Sequence, residues 1–349
     1  MSFPAEFEIG GRPVGGGHPA WVIAEVGANH NCDIGVAREL IDAAAAAGAD
    51  AVKFQTYSGE RIYSRKTPSF DYLQTDEPPA ELLERISLPR EWQAPLADHA
   101  ASRGVQFFSS PFDHEAVVEL AELGVPALKI ASFEIVDLPL IEVAAATGLP
   151  LIVSTGMAVL GEVEDALDAA RRGGAPAVGL MQTTSVYPAP AERANLRAMK
   201  TMRTAFGVPV GLSDHTEGIA VPVAAAALGA AFVEKHFTLD RSMEGPDHPF
   251  ALEPEELRDM VDGIRTAQVA LGDGRKEGPS EEERHEMYTL ARRSLILTRD
   301  LPAGTVLERD MLTVKRPGFG VPPKHLELVL GRALRVDVEA DDILTWEML

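Results

Sequence analysis

The sequence predicts a (β/α)8 TIM barrel followed by a small β-rich domain, on three observations. Apolar runs that turn polar at their carboxyl ends alternate with helical stretches eight times over about 250 residues, the order that builds a parallel sheet with helices outside it. No G-x-G-x-x-G follows the first such run, which lowers an open, dinucleotide-binding sheet of the same element order. The last sixty residues change character, with short β-rich runs between turns such as Pro302-Ala303-Gly304 and Arg316-Pro317-Gly318.

In order, WVIAEVGANHN (21–31) is the first strand with its polar end, and 34–47 is a helix closed by Gly48. AVKFQTY (51–57) is the second strand. A polar excursion over 58–89, with Pro78-Pro79 and scattered charges, is expected as a loop over the barrel mouth, before a helix over 91–103. VQFFSSPF (105–112) with helix 114–123, ALKIASFE (127–134) with helix 138–147, and PLIVSTG (150–156) with helix 161–172 follow. AVGLMQTTS (177–185) precedes a helix near 195–205. The stretch VGLSDHTEGIAVPVAAAALGAAFVEKHFT (210–238) supplies strands seven and eight around an Ala-rich helix, and 254–271 is the last helix. We therefore expect a barrel domain over 1–271, a charged linker over 272–289 and a second domain over 290–349.

Composition bounds the function. At 46% hydrophobic and 24% charged, the 349 residues are those of an ordinary soluble chain with ample core. No apolar run has the length of a membrane span and no signal peptide is evident at the N-terminus, so a cytoplasmic protein is expected. The lone Cys32 excludes an internal disulfide and a cysteine zinc site. A formal charge of −21 argues against nucleic acid. From Leu290 onward nine Lys/Arg balance nine Asp/Glu, so residues 1–289 carry the whole excess, 23 against 44. An anionic substrate must then be held by a few cations inside a pocket.

Chemistry in a barrel gathers at the carboxyl ends of the strands. Those ends carry Glu25 with Asn29 and His30; Lys53 with Gln55; Ser109 and Ser110; Lys129 with Ser132 and Glu134; Ser154 and Thr155; Thr184, Ser185 and Tyr187; Ser213 and His215; Glu234 and His236. Polar groups at all eight ends exceed what packing requires. Lys53 and Gln55 share one strand face, as do Ser213 with His215 and Glu234 with His236. A strand-end lysine is ordinarily a solvated surface group, but Lys53 and Lys129 interrupt apolar runs, and a buried ammonium needs an anion. Glu25 suits either a structural partner for a lysine or a chemical role. Strand-end serines are common turn residues, yet a ring of them around two lysines suits phosphate oxygens. His215 and His236, at consecutive strand ends, are candidate ligands for a divalent metal. Asp247 and His248, in the last βα loop, can also reach the mouth.

AEVGANHN (24–31), KFQTY (53–57), SSPFD (109–113), KIAS (129–132), STGM (154–157), SDHT (213–216), EKHFTLDR (234–241) and GPDH (245–248), then RRSL and KRPGFG, resemble the sialic acid synthase family from Trp21 to the C-terminus. The resemblance implies an enzyme, a transferase of sialic acid biosynthesis like N-acetylneuraminate synthase, that joins phosphoenolpyruvate to an N-acetylated sugar aldehyde and releases phosphate. It implies that the small domain is antifreeze-like (SAF), and that a domain-swapped homodimer lets one subunit's small domain cap the other's barrel. By position, His215 and His236 resemble ligands of Mn2+ or Mg2+. Lys53, Lys129, Ser110, Ser132, Ser154 and Ser213 resemble the phosphoenolpyruvate cradle. Glu25, Gln55, Glu134, Ser185, Tyr187 and Asp247 resemble sugar-side or acid–base positions, with Glu25 the candidate for proton transfer. Arg316 resembles an arginine sent to the acetamido group by the partner subunit.

Cys32 stands where glycine is usual in the family, Ser110 where threonine is frequent, Ser185 where some members have asparagine, and Phe319 where Thr or Asn is common. These departures bear on the sugar, N-acetylmannosamine or a 6-deoxy-diacetamido hexose of the legionaminic or pseudaminic type. The competing readings are a pyruvate-dependent metal aldolase on the same barrel and a non-catalytic binding protein in which only the C-terminal domain matters.

Overall fold

The chain begins with a hairpin, β1 (Glu6–Ile9) and β2 (Arg12–Gly15), ahead of the first strand expected from the sequence. Its signal was present. Gly10-Gly11 joins the two runs, and both residues have positive φ, as a two-residue hairpin turn requires. The hairpin covers the amino-terminal end of the sheet that follows. Ile9 and Val14 are fully buried, Phe7 meets the Phe232 ring at 6.3 Å, and Arg12 pairs with Asp50, which also accepts from Arg265 at 2.6 Å.

In this computed structural model, which describes residues 2–68 and 77–349, the chain forms two units, Met1–Gly272 and Asp273–Leu349. The first is a closed barrel of eight parallel strands: β3 (Trp21–Glu25), β4 (Ala51–Thr56), β5 (Gln106–Pro111), β6 (Leu128–Ile130), β7 (Leu151–Ser154), β8 (Val178–Thr183), β9 (Val210–Asp214) and β10 (Phe232–His236). β10 pairs with both β9 and β3, which closes the ring. Each gap between consecutive strands holds a helix close to its expected span, for example Ile34–Ala46, His114–Leu123 and Leu160–Gly173. Local chemistry sets their ends. Asp33 accepts from the amides of Gly35 and Val36 to open the first helix, and Gly174, at φ +89°, closes Leu160–Gly173.

Inside the barrel, bulk on one strand is matched by its absence on the next. Phe232 projects inward from β10, and a Cβ on Gly179 would come within 2.5 Å of its ring. A Cβ on Gly211 would meet the Phe232 backbone oxygen at 2.3 Å. Trp21, paired with Phe232 on the neighbouring strand, meets Phe108 with ring centroids 5.8 Å apart. The interior below the mouth is thus a solid plug, and the polar strand ends sit on an apolar floor.

Two expectations require correction. The strand expected over 127–134 ends at Ile130, and Ser132–Val136 forms a 3-10 turn. Ser132 and Glu134 therefore enter the mouth from a turn, because the chain must bend there to start the helix Leu138–Ala146, whose first turn Asp137 caps. The 58–89 insert is not simply a loop: it contains the helices Gly59–Ile62 and Pro79–Ile86, joined where Glu84 accepts from the Gly59 amide at 2.7 Å. Its residues 69–76 lie outside the described residues.

The second unit pairs β11 (Ser294–Leu297) with β12 (Leu312–Lys315), antiparallel. Isolated bridges such as Ile296 to Ile343 and Leu301 to Val338 fold the remaining chain around Leu295, Leu297, Val321, Val329 and Leu344. The stretch 272–289 includes a short helix, Glu281–His285, opened by Ser280. Among the described residues no helix is long and apolar enough to cross a membrane.

Candidate active site

Strand register assembles the mouth. His236 pairs with Glu25, and Glu25 with Lys53, so three consecutive strands place their final polar residues side by side. One step around, Glu234 pairs with Ser213 and Gln55 with Ser110. All of these residues except Gln55 are buried, as are Lys129, Ser132, Ser154 and His215.

The lysines are held in two ion-pair units. Lys53 Nζ lies 2.6 Å from Glu25 Oε2 and donates to Ser110 Oγ at 3.2 Å, while Gln55 donates to the other Glu25 oxygen at 2.7 Å. Lys129 Nζ donates to Ser154 Oγ at 2.7 Å and lies 3.5 Å from Glu234 Oε1, which also accepts from Ser213 Oγ at 3.0 Å. Burial opposes the Lys53 ammonium, but the Glu234 and Glu25 carboxylates outweigh it and its pKa rises. For Lys129 burial prevails and the pKa falls. Burial would raise Glu234, but Lys129 and Lys53 bring it down to about 2, so this carboxylate stays ionised. Glu25 is pushed up by burial against the pull of Lys53.

Glu234 joins the site as a carboxylate to which its sequence context alone assigns no role. It was legible only as the partner of His236 in a two-residue strand period; the register that sets it between Ser213 and Lys129 is tertiary.

Beside these units stand the histidines, at the ends of β9 and β10, their ring centroids 5.5 Å apart. His215 Nδ1 donates to the Thr184 carbonyl at 2.8 Å, which leaves Nε2 as its lone-pair nitrogen. His236 Nδ1 is buried without a hydrogen-bond partner, and Asp247 Oδ2 stands 3.6 Å away. Burial lowers both pKa values, that of His215 to about 3. Two neutral imidazoles at this spacing, one with an unpartnered nitrogen, fit a divalent ion. Among the described residues no cluster of three or more His, Cys, Asp or Glu is arranged to hold a metal, so the protein would supply two ligands.

The Tyr187 ring lies 4.2 Å from that of His215, tilted by 43°, and 5.4 Å from that of Phe250, forming an aromatic wall. Asp247 is raised by burial, opposed by His236, and a Cβ on Gly27 would strike its Oδ2 at 2.6 Å. Ser132 Oγ accepts from the Gly156 amide at 3.1 Å, and a Cβ on Gly156 would meet Ser185 Oγ at 2.2 Å and Ser132 Oγ at 2.7 Å. Gly156 is therefore what lets these two serines converge. Glu134 has one buried oxygen without a hydrogen-bond partner, and burial lifts its pKa to about 7.

Some strand-end residues serve the scaffold. Asn29 donates to the Phe237 carbonyl at 2.9 Å, and His30 accepts from the Cys32 amide at 3.1 Å. His248, expected to reach the mouth, is fully buried between Thr238 and Asn31. Arg316 lies in the second unit, where its Nε donates to the Ala291 carbonyl at 2.7 Å.

Comparison with known proteins agrees with this architecture. Residues 40–276 match the NeuB family and residues 292–349 the SAF domain. An N,N'-diacetyllegionaminic acid synthase of Legionella pneumophila is 39% identical over 96% of this chain and 96% of its own length. A protein of the same name from Campylobacter jejuni is 40% identical over 93% of this chain and 98% of its own. The crystal structure of an N-acetylneuraminic acid (sialic acid) synthetase from Leptospira borgpetersenii, in complex with citrate, superimposes with a TM-score of 0.74 at 34% identity, covering 82% of this chain and 96% of that one. The barrel, its polar strand ends and the appended SAF domain thus have one explanation: the chain belongs to the sialic acid synthase family of nonulosonic acid synthases.

Proposed function

We propose that this enzyme condenses phosphoenolpyruvate with the open-chain aldehyde of an N-acetylated sugar and releases phosphate. The observation that carries the reading is the pair of buried lysine–carboxylate units beside two neutral histidines at the strand ends. Lys53 and Lys129, flanked by Ser110, Ser132, Ser154 and Ser213, offer cations and hydroxyls to the phosphate and carboxylate of phosphoenolpyruvate. Gln55, Ser185, Tyr187, Asp247 and Glu134 border the sugar's place.

In the reaction, C3 of phosphoenolpyruvate bonds to the aldehyde carbon and the aldehyde oxygen becomes an alkoxide that takes a proton. Water adds to the cationic C2 and gives up a proton, and the tetrahedral adduct loses phosphate by C–O cleavage. Mn2+ or Mg2+ at His215 and His236 would supply Lewis-acid stabilisation of the developing alkoxide, an effect of several kcal/mol. The chain's own residues position and balance charge: the lysines hold phosphoenolpyruvate in register, and the low-dielectric mouth strengthens each contact. Glu25, near the metal site, and Glu134, with a pKa near physiological pH, are the carboxyls suited to proton transfer. Arg316 of a partner subunit would complete the sugar side in a domain-swapped homodimer.

A second reading of the sugar, a 6-deoxy-diacetamido hexose, is favoured by the likeness to the N,N'-diacetyllegionaminic acid synthases of Legionella pneumophila and Campylobacter jejuni. Phosphate release measured with phosphoenolpyruvate and a panel of acetamido sugars, including N-acetylmannosamine, tests both. Release with none of them, or consumption of pyruvate in place of phosphoenolpyruvate, would sink the condensation.

A further inference from the structure

Beside the mouth, at the carboxyl ends of β7 and β8, lies a second cavity of about 620 Å³. It shares the strand-end residues Thr155, Thr184 and Ser185 with the mouth, and its remaining walls come from the end of β8, the loops after β7 and β8, and the first turns of the helices Leu160–Gly173 and Arg197–Phe206. The volume is in the range of small-molecule sites.

Its charge is opposite to that of the chain. Arg193 and Arg197 line it and no Asp or Glu does, although acidic residues outnumber basic ones 53 to 32. Among the described residues neither guanidinium is paired with a carboxylate. Unpaired cations grouped on an otherwise acidic surface concentrate an anionic ligand. Leu160, Met202, Met157 and Val186 make an apolar part of the wall, the last two 67% and 51% exposed.

Backbone conformation marks the same place. Met157, at φ +64°, and Asn195, at φ +45°, both line the cavity. For methionine the left-handed conformation costs about 1–2 kcal/mol, and such strain concentrates at ligand sites.

We propose that this cavity is a second site that binds a nucleoside monophosphate, its phosphate on Arg193 and Arg197 and its base against the apolar wall. The hydroxyl of Thr201 and the amide of Asn195 are in the lining for the ribose. Thr184 links the two sites: its Oγ1 donates to the Arg193 carbonyl at 2.8 Å, and its own carbonyl accepts from His215 at 2.8 Å. Resting on the metal reading above, a ligand that displaces Arg193 also bears on His215, so nucleotide and metal affinities change reciprocally.

Isothermal titration of the full chain with AMP and CMP, and with inorganic phosphate for comparison, tests the site. The nucleotides bind, and Arg193→Gln with Arg197→Gln weakens them by about tenfold or more while phosphoenolpyruvate binding and the melting temperature hold. Absence of nucleotide binding, indifference to the double substitution, or loss of nucleotide binding on Lys53→Gln overturns the proposal. Inorganic phosphate binding as tightly as the nucleotides overturns the nucleotide class. Titrating Mn2+ with and without saturating AMP reads the link, with a shift of about threefold expected. No shift with AMP bound overturns the transmission through Thr184. Failure of the wild-type chain to bind phosphoenolpyruvate counts against the condensation alone.

Discussion

Glu25 and Lys53 face each other across adjacent strands at 2.6 Å, both buried, with Gln55 and Ser110 completing their hydrogen bonds. The pair fixes one corner of the mouth and holds an ammonium where solvent cannot. Replacing Glu25 with Ala leaves that ammonium without its hydrogen-bonded carboxylate, with only the charges of Glu234 and, more weakly, Asp247 to balance it. We expect a loss of about 3 kcal/mol in stability, the range for breaking a buried pair, and a fall in kcat of about a hundredfold or more. Denaturant unfolding and steady-state phosphate release measure the two effects, and unchanged stability would show that the pair is not held as the structure has it.

The histidine pair is tested without turnover. His215→Ala and His236→Ala each abolish Mn2+ binding, read as retention of the free-ion signal in electron paramagnetic resonance, while phosphoenolpyruvate still binds to Lys53 and Lys129. With burial holding His215 near about 3, protonation of this imidazole does not compete with the ion between pH 8 and pH 6, so its contribution to Mn2+ affinity is flat there. Undiminished Mn2+ binding in both variants would remove the histidines as ligands.

Glu134 predicts a pH dependence of stability. Its folded pKa, about 7, lies above the ordinary 4.5, so the folded state binds the extra proton between those values. Stability therefore falls as pH rises through this window, by at most about 3 kcal/mol, and the loss persists above it. Glu134→Gln removes the effect: against the wild type, the variant gains stability from pH 5 to pH 8. Parallel melting curves for the two proteins would contradict the assignment.

Gly156 is expected to tolerate no side chain. An alanine Cβ would fall 2.2 Å from Ser185 Oγ and 2.7 Å from Ser132 Oγ, so Gly156→Ala displaces both serines and lowers kcat/KM by about a hundredfold. Adding Ser185→Gly relieves the closer contact and restores part of the loss. Full activity of the single variant would mean that the serines do not contribute.

Arg316→Ala is expected to raise the KM for the sugar by about tenfold and to leave that for phosphoenolpyruvate within about twofold. Equal increases for both substrates would assign it a structural role.

Much of this was legible in the sequence because barrels write their chemistry at strand ends. Lys53 inside AVKF, Lys129 inside ALKI and the histidines ending SDH and EKH are local signals: a polar residue closing an apolar run has few structural uses there. The hairpin was equally local, in the Gly10-Gly11 turn, and was passed over. Ser132 and Glu134 were assigned to a strand because periodicity does not reveal where a chain bends away from its neighbours.

By itself the sequence determined the alternation of strands and helices, the charge imbalance between its two parts, and which polar residues close each strand. Only the tertiary structure decided which carboxylate partners which lysine, that His248 is scaffold, that Glu234 joins the site, and that Arg193 and Arg197 share a cavity. The reason is physical. A strand's period says which face a side chain takes, but the register and closure of the barrel decide whom it meets there, and burial, which moves the pKa values of these groups, exists only once the ring has closed.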